Sequence, residues 1–368
     1  MQTTLTGSLL GALLFLSVAD VPLAAQGTPR TGADIYQANC AACHGADGRG
    51  ATQSSIAFTD VGLPDFTDCV FTTPEPDADW AATIHLGGAA RAFNRKMPAF
   101  VDAMSDTEID LVIGHLRTFC TQPSWPRGDL NLPRPLVTEK AFPENESLVT
   151  TVVSPDGDAS VENQFVYERR IGRRSQYEAV IPFNFQQQAG GWNRGLGDIA
   201  LALKHALFDD LRRGTILSAG GEMTFPTGKD DRGLGGGVTI AETFVTVSQL
   251  LPRDGFLHVH GGFEFPLKSA DPNEAYWRTA VGRTFSQQRW GRAWSPMLEV
   301  LGLKELGVGE APQWDVVPQM QVTLSRRQHV MVDAGVRIPI TERSARHPAF
   351  MMYFLWDWFD GGLLEGWR

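Results

Sequence analysis

Basic charge is what this 368-residue sequence has too little of: 32 Lys and Arg stand against 42 Asp and Glu, a formal net charge of −10. Nucleic acid requires a basic face, so that class of partner is excluded. Long apolar runs are also missing after residues 5–18, LTGSLLGALLFLSV, and no later stretch could form a membrane helix. That one run, followed by PLAAQG with Ala25 as the last residue before cleavage, predicts a secretory signal over residues 1–25. The opening MQTT lacks the Lys or Arg expected there, and no cysteine at the cleavage point offers a lipid anchor. Cysteine is scarce too. Only Cys40, Cys43, Cys69 and Cys120 occur.

Two of the four stand in ANCAACHGADGRG, with the spacing C-x-x-C-H. The two thiols can add to the vinyl groups of one haem while His44 reaches its iron. A thioredoxin-like thiol pair and half of a zinc site share the C-x-x-C spacing. Zinc would need two further ligands at short spacing, and Cys69 and Cys120 are distant and isolated. Covalent haem in turn implies an extracytoplasmic setting. There the leftover Cys69 and Cys120 are expected to pair as a disulfide.

The flanks carry a pattern. TGADIYQANCAACHG places Ile35 and Tyr36 one turn before the thiols, as a short amphipathic helix would. NRKMPAF follows, then SDTEIDLVIGHLRTFC, where Ser105 or Asp106 can cap a helix whose buried stripe is Ile109, Val112, Ile113 and Leu116. These residues resemble class I c-type cytochromes, over residues 30–122. The resemblance implies an all-α domain with one covalent haem c, Cys40 and Cys43 as thioether positions, His44 as proximal ligand and Met97 as distal ligand. Met104, His85 and His115 are the competing ligands; His115 falls within the terminal helix. His/Met ligation raises the haem potential and leaves no open iron position, which implies one-electron transfer and no catalytic residues.

Charge is uneven along the chain. Residues 27–122 hold 12 acidic and 6 basic side chains, a net of −6, whereas residues 147–368 hold 25 and 23, a net of −2. The acidic front part could steer a basic periplasmic redox protein, or be an ordinary solvated face. Between the two parts, residues 121–146 contain five prolines and no hydrophobic periodicity. A semi-rigid linker is expected over 123–146.

From residue 147 onward the period is two. QYEAVIPFNF, GDIALALKHALF, LSAGGEMTF, FLHVHGGFEF, WDVVPQMQVTLS, HVMVDAGVRIPI and AFMMYFLWDW each put one apolar face outward, with His205 out of place. The opposite faces carry Glu222, His258, His260, Glu264, Asp315, Gln319, Gln321, Asp333 and Arg337. Ten-residue segments of this kind predict an antiparallel transmembrane β-barrel of about twelve strands over residues 147–368, in contact with outer-membrane lipid. Shorter strands would suit a β-sandwich, and a lipocalin-like barrel stops at eight. Pro296 and Pro318 count against regular ladders, and the terminal LLEGWR departs from the final aromatic of such barrels.

GLGDIALALKHALF, GGEMTFPTGK and VDAGVRIPITER are similar to outer-membrane barrels associated with meta-pathway phenol degradation. The resemblance implies a transporter-like barrel. The whole layout is similar in arrangement to the fused cytochrome–porins of iron-oxidising bacteria. It implies a redox porin in a Gram-negative outer membrane, with the haem domain on the periplasmic side and a small-molecule or metal-ion donor entering the barrel. Glu222, Glu242, His258, His260 and Glu264 fall on the lumen phase of three consecutive strands, where carboxylate and imidazole suit iron, although solvated lumen residues would read alike. The alternative is a passive channel for small hydrophobic or aromatic molecules with a tethered cytochrome; a soluble carrier is a third reading. A domain of this size is roughly 30 Å across, and a twelve-strand barrel only about 24 Å. The front domain can cap such a barrel but cannot plug it.

Overall fold

The computed structural model describes residues 30–52, 62–122, 124–157, 159–188, 190–267, 270–286, 292–307, 309, 311–358 and 364. The expected signal over 1–25 lies outside them.

The N-terminal part is built from short helices. Thr31 and Asp34 form a capping box that starts α1 (Gly32–Asn39), and the chain turns directly into α2 (Ala41–His44). Then come α3 (Cys69–Thr72), α4 (Asp77–Leu86) and α5 (Asp106–Leu116). Ser105 and Glu108 supply a second capping box at α5, satisfying amide groups that the first turn leaves unpaired. Ile35 and Tyr36 of α1 pack with Ile109, Val112, Ile113 and Leu116 of α5 and with Ile84 of α4. Gly32 lies so close to Leu111 that a Cβ there would collide with the Leu111 carbonyl. Cys69 and Cys120 are joined by a disulfide that closes α3 onto the end of α5.

The C-terminal part is a closed ring of twelve antiparallel strands: β1 (Glu146–Ser154), β2 (Ser160–Ile171), β3 (Ser175–Gln188), β4 (Gly191–Leu196 and Ile199–Asp210), β5 (Thr215–Phe225), β6 (Thr239–Leu251), β7 (Gly255–Leu267), β8 (Glu274–Arg283 and Phe285–Ser286), β9 (Ala293–Glu305), β10 (Gln313–Thr323), β11 (Val330–Pro339) and β12 (Ala349–Asp357). β4 and β8 are each interrupted once, but both pieces of β4 pair with β3 and both pieces of β8 pair with β9. Closure comes from β12 pairing with β1, where Asp357 lies opposite Glu146. Pro296 and Pro318 sit inside the β9–β10 ladder, which continues through both.

Alternation sorts the side chains as the pleat requires. Leu201, Leu203, Val245, Phe263, Trp277, Val281, Leu298 and Phe350 stand on the outside, Leu203 being 62% exposed. A closed barrel with an apolar exterior satisfies every backbone group without water, which lets strands cross a bilayer. Among the described residues, no helix is long and apolar enough to cross a membrane. His205 stays on the outer face and bonds Ser175 Oγ at 2.7 Å. A bulge follows it between Ala206 and Phe208.

The two ends differ. β2–β3, β4–β5, β6–β7 and β10–β11 are joined by short turns at one end, which also holds the start of β1 and the close of β12. The opposite end carries longer connections, including residues 226–238. Asp198 pins that loop, accepting from the amides of Gly228 at 2.8 Å and Gly236 at 2.7 Å. The N-terminal part caps the short-turn end. Arg91 Nη1 donates to the Arg326 carbonyl and Arg327 Nη2 to the Ala92 carbonyl, each at 3.4 Å.

The segment expected as a spacer over 123–146 threads the barrel from about residue 130 onward: Arg134 and Lys140 meet barrel carboxylates there, and Leu130, Leu132 and Phe142 pack on barrel side chains. We call this segment the strap.

Candidate functional site: the C-x-x-C-H turn and the barrel lumen

The C-x-x-C-H segment is held as a tight helical turn. Cys40 N–H donates to Tyr36 O at 2.8 Å and His44 N–H to Cys40 O at 2.9 Å. Tyr36 OH reaches across to Gly45 O at 2.7 Å. Gly45 takes φ +74°, a left-handed conformation that glycine adopts without steric cost. Cys40 and Cys43 are free thiols, half-buried and three residues apart on this turn. Burial pushes the Cys40 thiol up to about 11, so it stays protonated at neutral pH.

These residues fit a haem. Cys40, Ala41, Trp80, Met97 and Phe100 rim the apolar cluster formed by α1, α4 and α5. His44 Nδ1 is buried without a hydrogen-bond partner among the described residues, and burial lowers the pKa of its imidazole. Met97 is presented by a loop folded back on a 3-10 turn, Gly88–Arg91: Gly88 N–H donates to Met97 O at 3.1 Å. A Cβ on Gly88 would collide with the Asn94 carbonyl oxygen and lie 3.0 Å from Met97 Cβ, so glycine lets this loop fold back so closely.

The competing ligands are placed otherwise. Met104 is buried inside the apolar cluster. His115 is held between Tyr36 and Phe119, ring centroids 5.2 and 5.0 Å away. His85 Nε2 lies 3.8 Å from Asp106 Oδ1.

Below α4, a charged junction ties the helical part to the strap. Asp77 accepts from Arg117 Nε at 2.8 Å and from Arg127 Nη2 at 2.6 Å. Gly128 N–H donates to Thr73 O at 2.6 Å. Burial lowers the pKa of Arg117, whose guanidinium also stacks 3.8 Å from the Trp80 ring.

Among the described residues, the strap is hydrogen-bonded inside the barrel to side chains from ten of the twelve strands. Arg134 Nη1 donates to Glu146 of β1 and Glu168 of β2, both at 2.6 Å. The amides of Val137 and Thr138 donate to Glu299 of β9 at 3.1 and 2.7 Å, and Leu136 N–H to Gln319 of β10 at 2.9 Å. Glu144 N–H donates to Gln176 of β3, and Ala141 N–H to Ser248 of β6. Lys204 of β4 bonds Glu139 and the Lys140 carbonyl, while Ser218 of β5 donates to Ala141 O. His258 of β7 bonds Pro133 O at 3.0 Å, and Tyr353 of β12 donates to Arg134 O at 2.7 Å. A segment bonded around the whole circumference is inside the ring, and Thr138, Lys140 and Ala141 are buried there. Leu130 and Phe142 pack on Ala206 and Ile216, and Leu132 on Phe256 and Met297. Each such side chain contributes about 1.5–3 kcal/mol.

The lumen residues singled out from the sequence divide into two groups. Glu222, Glu242 and Glu264 stand in register on β5, β6 and β7. The row extends to Glu274 on β8 and Glu305 on β9, and in the other direction through Ala202 to Glu178 and Glu168. Because barrel strands tilt, an in-register row climbs the wall. This one runs from the short-turn end to the long-loop mouth. His258 and His260 lie off the row and are taken up by the strap, His260 also bonding Tyr276 OH at 3.1 Å. Sequence reasoning missed Glu139, Glu168 and Glu178, whose carboxylates lie within 4.8 Å of one another beside Arg134 and Lys204. It also missed Glu299. The excess of carboxylates on an inner barrel face was the available signal, since buried carboxylates require cations.

The chain thus joins a c-type cytochrome domain to a closed twelve-strand β-barrel with an apolar exterior. The family described as Cytochrome C oxidase, cbb3-type, subunit III matches residues 27–116. Among solved structures, the chain is similar to an outer membrane channel from Pseudomonas putida F1, at 12% identity and TM-score 0.43, over 61% of this chain and 99% of that one. It is also similar to the NanC porin, at 9% identity and TM-score 0.41, and the KdgM porin, at 7% and 0.38, each over 57% of this chain and 98% of the other. No curated protein matches.

Proposed function

We propose that this protein transfers single electrons at the outer membrane as a redox porin whose lumen is an entry vestibule and not a through-pore. The strap carries this reading. Its bonds to side chains all round the wall lay it across the lumen beneath the cytochrome domain, which disfavours free diffusion of solutes through the barrel. A class I, all-α cytochrome domain would lie at the periplasmic mouth, following the convention that short turns face the periplasm. Cys40 and Cys43 would hold one haem c by thioether bonds, and His44 and Met97 would be its axial ligands. When bound, the haem supplies a one-electron couple. Export through the 1–25 signal and delivery to a soluble periplasmic redox protein complete the route.

The protein's own residues do the rest. The apolar cluster around Ile35, Phe66 and Ile84 excludes water from the haem position and thereby tunes its potential. Glu222, Glu242, Glu264 and Glu274 would concentrate a cationic donor such as ferrous iron in the outer vestibule, by the focusing that like-charged clefts exert. A cavity of about 620 Å³ lies between strap and cytochrome domain, lined by Asp79, Arg91, Arg134, Lys140 and Phe256 among others.

The test is reduction without leak. In oriented proteoliposomes, a membrane-impermeant reductant offered at the long-loop side should reduce the haem while an entrapped sugar stays inside. Haem that stays oxidised while the sugar escapes would favour the passive channel and overturn the proposal. A companion prediction concerns Met97→Ala, which should abolish the ferric absorption band of methionine ligation and lower the midpoint potential. An unchanged spectrum would refute Met97 as ligand.

A further inference from the structure

The cytochrome domain meets the barrel at the segment that presents Met97. Arg327, on the turn between β10 and β11, donates to the Ala92 carbonyl at 3.4 Å and lays its guanidinium 4.5 Å from the centroid of the Phe93 ring. Its neighbour Arg326 accepts through its main-chain carbonyl from Arg91, whose Nη2 also bonds Asp79 of α4 at 2.8 Å. Ala92 and Phe93 are not incidental partners. Ala92 takes φ +57°, a left-handed conformation that a residue with a Cβ adopts at some cost and holds only when its surroundings fix it. Phe93 N–H donates to Gly88 O at 2.8 Å, and Gly88 N–H in turn donates to Met97 O. Asn94 O accepts from Met97 N–H at 3.2 Å. A continuous set of contacts therefore runs from a barrel turn, through Ala92 and Phe93, to the backbone on both sides of the Met97 side chain.

We propose that Arg327 is a positioning residue for the haem: the barrel clamps the Met97 loop and so keeps the sixth iron position closed. The inference rests on the assignment of Met97 as axial ligand. It gives the fusion a physical meaning, since the electron-transfer state of the cytochrome domain would be complete only on its barrel. A cytochrome domain that met the barrel through the strap junction alone would carry its Met97 loop free in solvent, where such loops open readily.

The experiment uses the full chain in detergent, loaded with haem. In Arg327→Ala, carbon monoxide binding to the ferrous haem measures how often the sixth position opens. A cation–π contact of about 1 kcal/mol corresponds to about a fivefold rise in the open fraction. Binding should accelerate by about that factor, and the ferric methionine band should weaken. Arg327→Lys keeps the charge over Phe93 and should restore most of the wild-type behaviour. Arg326→Ala, which removes only a side chain whose backbone carbonyl makes the contact, should change neither readout. Should Arg327→Ala fail to fold, Phe93→Ala removes the same contact from the cytochrome side and should show the same acceleration. Unchanged carbon monoxide binding in folded Arg327→Ala, judged by heat-modifiable gel migration, would overturn the clamp. A wild-type ferric spectrum without the methionine band would instead overturn the Met97 assignment, and the two failures are thereby distinguishable.

Discussion

Arg134→Ala is expected to loosen the strap and make openings of the barrel lumen far more frequent, read as a higher ionic conductance than that of the parent. Arg134 stands between Glu146 and Glu168, which are 1% and 0% exposed, and also lies 3.4 Å from Glu139. Removing its guanidinium leaves buried carboxylates facing one another. Breaking such a pair by deleting one partner costs about 3–5 kcal/mol, because the surviving charge is left without compensation. The neutral hydrogen bonds that remain, from Leu136 and Ala141 for example, contribute only about 1 kcal/mol each. Occupancy of the displaced strap should therefore rise by between about 10² and about 5 × 10³-fold. Planar-bilayer recording checks this directly. Arg134→Lys keeps one charge but loses the planar fork that bonds two carboxylates at once, and should fall between. A closed barrel in Arg134→Ala would mean that the apolar anchors Leu130, Leu132 and Phe142 hold the strap unaided.

Local signals were the legible ones. The C-x-x-C-H turn, the capping box of Ser105 and Glu108, and the buried stripe from Ile109 to Leu116 depend on neighbours a few residues away, so spacing alone reveals them. The barrel exterior was legible for a related reason. Lipid favours apolar side chains, so residues such as Leu201, Leu203 and Met223 recur at period two along the strands.

The strap was not legible, because most of its barrel partners are distant in sequence. Leu130, Leu132, Leu136 and Phe142 follow no period, since each enters a different niche made by different strands. Its prolines satisfied the composition of a spacer while its charges answered lumen carboxylates more than thirty residues away, as Arg134 does with Glu168. One clue lay in β12, whose AFMMYFLWD is apolar on both faces. A water-filled lumen would have wanted polar residues at Met351, Tyr353 and Leu355. Instead Tyr353 and Leu355 join Leu148, Val166 and Val180 in a dry patch against which Leu136 of the strap packs. The same misplacement explains His258 and His260. Read as facing open water beside Glu264, they face the strap, and their ring nitrogens are already engaged. The size argument survives in altered form: the cytochrome domain caps the barrel, and the barrel is filled by the segment that follows it.

Opening the Cys69–Cys120 disulfide, by Cys69→Ser with Cys120→Ser, is expected to destabilise the cytochrome domain by about 4 kcal/mol, the loop-closure value for residues separated by 51 positions. Set against the 5–15 kcal/mol that holds a typical domain together, this is a large fraction. The effect should be confined. α3 carries Cys69 at its start and leads into Thr73, whose carbonyl holds Gly128 at the head of the strap. Cys120 follows α5 by four residues, close to Arg117 and its bonds to Asp77. Loosening this corner frees the helical part and the strap junction together, whereas the β1–β12 ladder that closes the barrel does not depend on it. A guanidinium titration followed by haem absorbance should move to lower denaturant, while heat-modifiable migration of the barrel stays as in the parent. Equal shifts in both would mean that cytochrome domain, strap and barrel unfold as one unit. In that case the strap is a structural member of the barrel, and its release could not open the lumen without unfolding the wall.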